Sequence, residues 1–412
     1  FRRYFGSFLV KTAMDKPYEP ECVFSERANQ LTSSAIREIL KVTERPEVIS
    51  FAGGLPAPAG FPVEKMRETF DKVLADSGKV ALQYGPTEGY KPLREWVAQD
   101  LNKTGANLTV DNILIVSGSQ QALDLLGKIL IDKGSKVLVE DPTYLGALQS
   151  FSQYQPAYAT VATDEGGLIP EAITPELAAG ARFLYALPNF QNPTGRTLDR
   201  ARREALVQKA ASLKFPIIED DPYGELRYAG EPQPSLLTLG AEVGANVIRL
   251  GTFSKVLAPG LRLGFIAAHA KIIHKLVQAK QATDLHTPTL TQMAVYEAVK
   301  DGFLAEHLPN VREIYRRQGR CMLEAIEREF PAGVTWTKPE GGMFLWVTVP
   351  AHIDTQKLLA EAVEQNVAFV PGGPFFAGKP QHNTLRLSFA TVPEEKIRAG
   401  IAILGKLLKQ KV

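Results

Sequence analysis

A large, mainly parallel α/β domain joined by a smaller α+β domain is the fold this sequence predicts. Three observations lead there. From about residue 110 one pattern recurs: a short apolar run, a polar loop, then a helical stretch. Beyond about residue 300 the texture changes to a long charged helix candidate and isolated strand candidates. The chain has 412 residues, more than one ordinary core accommodates, which suggests two unequal units.

The first run, Ile113-Leu114-Ile115-Val116, breaks at Ser117-Gly118-Ser119 and leads into the amphipathic stretch from Gln121 to Ile131. Lys136-Val137-Leu138-Val139 ends at Glu140-Asp141-Pro142, and Phe183-Leu184-Tyr185-Ala186-Leu187 ends at Pro188-Asn189. Phe215-Pro216-Ile217-Ile218 runs into Glu219-Asp220-Asp221-Pro222, and Val247-Ile248-Arg249-Leu250 into Gly251-Thr252. Continuous apolar runs separated by helices read as parallel strands buried on both faces. Ligands of such sheets gather at the carboxyl ends of the strands. Here those ends carry polar residues, so one domain aims many functional groups into one crevice.

In the last hundred residues, Pro309 to Phe330 is the long helix candidate, with apolar positions Val311, Ile314, Tyr315, Met322 and Ile326. Met343-Phe344-Leu345-Trp346-Val347 and Leu385-Arg386-Leu387-Ser388-Phe389 are strand candidates. Pro393-Glu394-Glu395 opens the last helix, with acids near its positive end. The domain expectation is a tail over 1–24, either disordered or added to the natural chain, for which Met14 is a candidate start. A segment over 25–58 packs with the small domain, 59–305 forms the large domain, and 306–412 the small one.

Composition narrows the function classes. Apolar residues make up 45% and charged residues 22%, a globular mixture. Lys plus Arg total 47 against 45 for Asp plus Glu, a net charge of +2. That balance argues against an electrostatic grip on nucleic acid or an anionic membrane. Two distant cysteines, Cys22 and Cys321, supply no disulfide framework and favour a reducing, cytoplasmic location. No run reaches the roughly 18 apolar residues that span a bilayer, and the six histidines have no metal-ligand spacing. Gly373 to Lys379 imitates a P-loop, but Pro380 stands where Ser or Thr is required.

The stretch from Gly251 to Gly264 carries the chemistry. A lysine directly after a buried strand, Lys255, becomes a nucleophile only if desolvation or a nearby cation lowers its pKa. Thr252, Ser254 and Arg262 surround it with hydroxyls and a guanidinium, a set suited to phosphate. The plainer alternative is a surface lysine with Arg262 in an ion pair.

This segment resembles the cofactor-lysine signature of fold-type I pyridoxal phosphate (PLP) enzymes, in the class I/II aminotransferase branch. The similarity runs from about Ser25 onward and looks nearest to the kynurenine/2-aminoadipate aminotransferase-like group. It implies that Lys255 is the Schiff-base lysine and general acid/base. Asn192, in Asn192-Pro193-Thr194-Gly195, matches an asparagine that bonds the cofactor's ring oxygen near the substrate carboxylate, and Tyr223 matches a donor to that oxygen. Asp220, three residues before Tyr223, matches the carboxylate that keeps the pyridine nitrogen protonated, with adjacent Asp221 as a rival. Ser119 and Gln120, at a helix start, match phosphate ligands, and Tyr144 matches the aromatic that stacks on the ring. Arg386 matches the clamp on the substrate α-carboxylate, with Gly53 and Gly54 as backbone contacts. Tyr84 matches a tyrosine reaching the neighbouring subunit's phosphate, which implies a homodimer.

The resemblance implies ping-pong transamination between an L-amino acid (2-aminoadipate, aromatic or branched-chain type) and a 2-oxo acid such as 2-oxoglutarate. Two alternatives stay open: another PLP reaction such as β-elimination or decarboxylation, and an aminotransferase-like ligand sensor. Arg37, on a short helix candidate from Ser33 to Leu40, is a candidate partner for an acidic substrate side chain; a solvated helix face is the equal alternative.

Overall fold

The computed structural model describes residues 23–29, 31 and 45–412. Seven strands form the large sheet: β1 (Ile113–Val116), β2 (Lys136–Glu140), β3 (Ala157–Val161), β4 (Ala181–Ala186), β5 (Ile217–Asp220), β6 (Val247–Thr252) and β7 (Gly264–Ala267). Their order across the sheet is β1-β7-β6-β5-β4-β2-β3. All neighbours are parallel except at β7, which runs antiparallel to both β1 and β6.

Strand alternation divides the core into two layers. Ile113, Ile115, Leu138, Leu184 and Ile217 pack on one face. Leu114, Val116, Val137, Val139, Phe183, Tyr185, Ile218 and Leu250 pack on the other. Because side chains alternate in a strand and both faces are covered, the runs carry no polar break. Helix α1 (Ser119–Leu130) follows β1, and α2 (Ala270–Gln281) follows β7.

Two strands lie outside the apolar runs that predicted the sheet. The edge strand β3 reads Ala-Tyr-Ala-Thr-Val, and only Val161 is buried. Strand β7 is apolar at Phe265-Ile266-Ala267 but only four residues long, and it follows closely on the Lys255 loop.

The last hundred residues build a second core around α3 (Phe303–Glu329) and α4 (Glu394–Lys409). Helix α3 starts before Pro309, where the sequence had placed its beginning, and passes through that proline. The missing N–H releases the carbonyl of Ala305, and both residues face solvent, where water can serve it. A four-stranded antiparallel sheet lies beside these helices: β8 (Thr335–Trp336), β9 (Phe344–Thr348), β10 (Val370–Pro371) and β11 (Thr384–Ser388), in the order β8-β9-β11-β10. The N-terminal strand Ile49–Ser50 pairs in parallel with Val367–Ala368, and Val48, Phe51 and Ala57 enter this second core. The chain from Phe51 to Gly54 is thereby carried across to the large domain. No helix among the described residues is long and apolar enough to cross a membrane.

Candidate active site

A cavity of about 450 Å³ lies at the carboxyl ends of the large sheet, closed on one side by β11. Its wall includes Gly54, Ser119, Gln120, Tyr144, Asn192, Asp220, Tyr223, Thr252, Ser254, Lys255, Arg262 and Arg386. The wall residues from Ser119 to Lys255 meet there because the strands place their carboxyl ends at one edge, while Gly54 arrives from the N-terminal segment and Arg386 from the small sheet. Leu55, Leu187, Pro222 and Pro259 complete the wall, and no polar motif marked them in the sequence.

Alternation along β5 sorts three consecutive acids. Glu219 accepts hydrogen bonds from the backbone N–H groups of Leu236 and Leu237 and from Arg249 (2.9–3.0 Å). Asp221 accepts from Arg249 Nη2 at 2.6 Å and from Gly224 N at 2.9 Å. Both are engaged away from the cavity. Asp220 is 2% exposed and lies on the opposite face. Its Oδ2 accepts from Tyr185 Oη at 2.7 Å, and its Oδ1 has no partner among the described residues. Burial pushes its pKa up to about 7. A buried carboxylate oxygen without a partner is unfavourable unless a donor or cation comes to it. Tyr185, the hydrogen-bond partner of Asp220, was not among the sequence candidates. Its one available signal was a phenol inside an otherwise apolar strand, since a buried Tyr hydroxyl requires a partner.

Lys255 Nζ donates to the carbonyl of Gly54 at 2.9 Å and stands 6.0 Å from the centre of the Tyr223 ring. Burial, assisted by the positive charges of Arg386 and Arg262, brings its pKa down to about 8 from 10.5. The neutral amine is the nucleophilic form. Acylation of Lys255 in cofactor-free protein should therefore rise about tenfold per pH unit and level off near pH 8. Mass spectrometry of the Lys255 peptide after brief treatment with an amine-acylating reagent checks this. A rise continuing beyond pH 10 would mean an ordinary lysine.

The turn between β1 and α1 forms a cradle for an anion. Ser119 and Gln120 are the first residues of α1, whose leading N–H groups have no partner within the helix. Gly118 has φ 83°, and a Cβ there would stand 2.6 Å from Arg262 Nη2. Glycine thus lets the guanidinium lie against the turn. Arg262 has φ 48° and donates to the Pro259 carbonyl at 3.3 Å. Thr252 Oγ1 donates to Ser254 Oγ at 3.0 Å and accepts from Ser254 N at 3.1 Å.

Across the cavity, Arg386 is 2% exposed. Its Nη1 donates to Asn192 Oδ1 at 2.8 Å and its Nη2 to the Ala52 carbonyl at 2.7 Å. The guanidinium lies 4.3 Å from the Phe344 ring centre and 5.2 Å from that of Phe375. Its buried Nε has no partner among the described residues. Burial lowers its pKa to about 10, so it stays charged at neutral pH. Asn192 Nδ2 donates to Tyr223 Oη at 3.4 Å, linking the Arg386 side of the cavity to the Asp220 side.

Two sequence candidates stand apart. Tyr84 is 79% exposed, outside the cavity wall, with its ring edge-on to His286 at 5.8 Å. Arg37 and its helix candidate lie outside the described residues.

A lysine of lowered pKa, a buried carboxylate, an anion cradle and a buried arginine on a doubly covered α/β sheet define a fold-type I PLP-dependent transferase. The family model for aminotransferase class I and II matches residues 47–404. The chain belongs to that family, in its kynurenine/2-aminoadipate aminotransferase-like group, and is a PLP-dependent aminotransferase. It is 47% identical to a 2-aminoadipate transaminase of Thermus thermophilus over 96% of this chain and 98% of that one. It is 45% identical to aromatic-amino-acid aminotransferase 1 of Thermococcus litoralis over 98% of each. The crystal structure of the α-aminoadipate aminotransferase LysN from Thermus thermophilus, complexed with N-(5'-phosphopyridoxyl)-L-leucine, superposes with a TM-score of 0.87 at 46% identity. It covers 94% of this chain and 97% of that one.

Proposed function

We propose that Lys255 carries the cofactor and that the enzyme exchanges amino groups between an L-amino acid and a 2-oxo acid in two half-reactions at one site. The amino acid is of 2-aminoadipate, aromatic or branched-chain type, and 2-oxoglutarate is the default acceptor. The observation that carries this reading is the convergence of Lys255, Asp220 and Arg386 on one cavity from β6, β5 and the small sheet. The names of the relatives support the 2-aminoadipate and aromatic donor classes.

The residues fit PLP. Asp220, with its unpartnered Oδ1, suits a protonated pyridine nitrogen, whose charge would bring the carboxylate pKa back down. Ser119, Gln120, Thr252, Ser254 and Arg262 would hold the phosphate, Tyr144 the ring face, and Asn192 and Tyr223 the ring oxygen. Bound PLP supplies an aldehyde for amines and a ring that draws electrons from the substrate α-carbon. Arg386, with Asn192 and the Gly54 backbone, would hold the substrate carboxylate. Lys255 Nζ, displaced by the substrate amine, would remove the α-proton and return it on the other side of the transferred nitrogen. The exposure of Tyr84 supports a homodimer in which this tyrosine serves the partner's phosphate. The two widely spaced thiols support a cytoplasmic location.

The absorbance spectrum of the purified protein tests the reading. A visible cofactor band should bleach with L-2-aminoadipate or an aromatic amino acid and return on adding 2-oxoglutarate. A band that changes without return by any 2-oxo acid would instead mean a lyase or a ligand sensor.

A further inference from the structure

A buried lysine behind the anion cradle has no part in the chemistry above. Lys280, in the last turn of α2, is fully buried. Its Nζ donates to Asp284 Oδ1 at 2.8 Å, to Asp284 Oδ2 at 2.9 Å and to Gln121 Oε1 at 2.9 Å, so all three ammonium protons are used. The Gln121 amide is held at both ends. Its Nε2 donates to Asp284 Oδ2 at 2.7 Å, and its Oε1 also accepts from the backbone N–H of Ser117 at 2.8 Å. Ser117 Oγ lies 3.4 Å from Asp284 Oδ2 and 3.3 Å from Thr287 Oγ1, and the Ser117 carbonyl lies 3.5 Å from Arg262 Nη2.

The network therefore fixes the residue at which β1 turns into the cradle. The Ser117 N–H is bound to Gln121, and the Gly118 N–H is bound to the Val116 carbonyl at 2.8 Å. The donors left to an anion are those opening α1, at Ser119 and Gln120. Their direction depends on how Ser117 is held. Desolvating an ammonium is costly, and Asp284 alone would satisfy the charge. Engagement of Gln121 adds an orientation that charge pairing does not require.

We propose that Lys280, with Asp284 and Gln121, is a positioning group for the cofactor phosphate, setting the aim of the Ser119–Gln120 turn without touching the ligand. This rests on the reading of that turn as the phosphate site. Titration of cofactor-free protein with PLP and with pyridoxal, which lacks the phosphate, tests both. Wild type should bind PLP more tightly than pyridoxal. Lys280→Met should weaken PLP about tenfold or more while leaving pyridoxal affinity within about twofold, because only the phosphate reads the turn. Asp284→Asn keeps the side-chain shape and should show the same selective loss, which covers a Lys280→Met chain that fails to fold. If both ligands weaken equally, or the preference for PLP survives in Asp284→Asn and in any folded Lys280→Met, the network is only structural and the proposal fails. If wild type itself shows no preference for PLP, the phosphate reading of the turn fails first.

Discussion

Replacing Lys255 with alanine is expected to lower transamination by at least about a thousandfold, within the range a positioned acid/base supplies, and to remove the protein's visible cofactor band. The reason lies in what surrounds the amine. Burial, with Arg386 and Arg262 nearby, holds its pKa at about 8, so a useful fraction is neutral at physiological pH. Lys255→Arg should lose as much activity as Lys255→Ala, because arginine keeps the charge and cannot be deprotonated. A Lys255→Arg enzyme with a tenth of wild-type turnover would overturn the assignment.

The same substitution has a stability consequence of opposite sign. A base whose pKa is lower in the folded state binds its proton less tightly there than in the unfolded chain. Below about pH 8 the wild-type apoprotein carries the full burden of that buried charge, and the burden fades as pH rises through the ordinary value of 10.5. Lys255→Ala apoprotein should therefore melt above wild type at pH 7, with the difference shrinking toward pH 10.5. Thermal unfolding of the two apoproteins across that range reads it, and a variant less stable at pH 7 would contradict the buried-charge account.

How much of this was legible beforehand follows from the physics of each feature. The strands β1, β2, β4, β5 and β6 could be read because parallel strands covered on both faces need unbroken apolar runs. The edge strand β3 lacks such a run because only Val161 is buried, and β7, though apolar and central, is only four residues long. Asp220 and Asp221 could not be separated by composition, only by an external pattern, and the structure separates them by period-2 alternation, with Asp221 tied to Arg249. Tyr185 and Lys280 were harder to single out. Tyr185 lies in an apolar strand and Lys280 among other lysines of an amphipathic helix, and what distinguishes each is a contact from a distant segment, Asp220 for one and Gln121 for the other.

Arg386→Lys is expected to reduce kcat/KM for amino acids about a hundredfold or more, mostly through KM, although the charge is kept. The guanidinium does three things at once that an ammonium cannot. It donates to Asn192 and to the Ala52 carbonyl, lies against the Phe344 and Phe375 rings, and still has an unpartnered Nε. A carboxylate held by such a planar fork gains geometry as well as charge. A lysine would meet it as a point charge and leave Asn192 Oδ1 or the Ala52 carbonyl without its donor, which is costly at a position 2% exposed. A generally disturbed site would slow every donor, so the comparison that isolates the clamp uses an amino acid and the amine left after removing its carboxylate. Wild type should prefer the amino acid strongly, and Arg386→Lys should lose most of that preference while its rate with the amine changes little. If the preference is retained, the carboxylate is held elsewhere, and Arg386 serves to lock Asn192 and the Phe51–Gly54 segment against the small sheet.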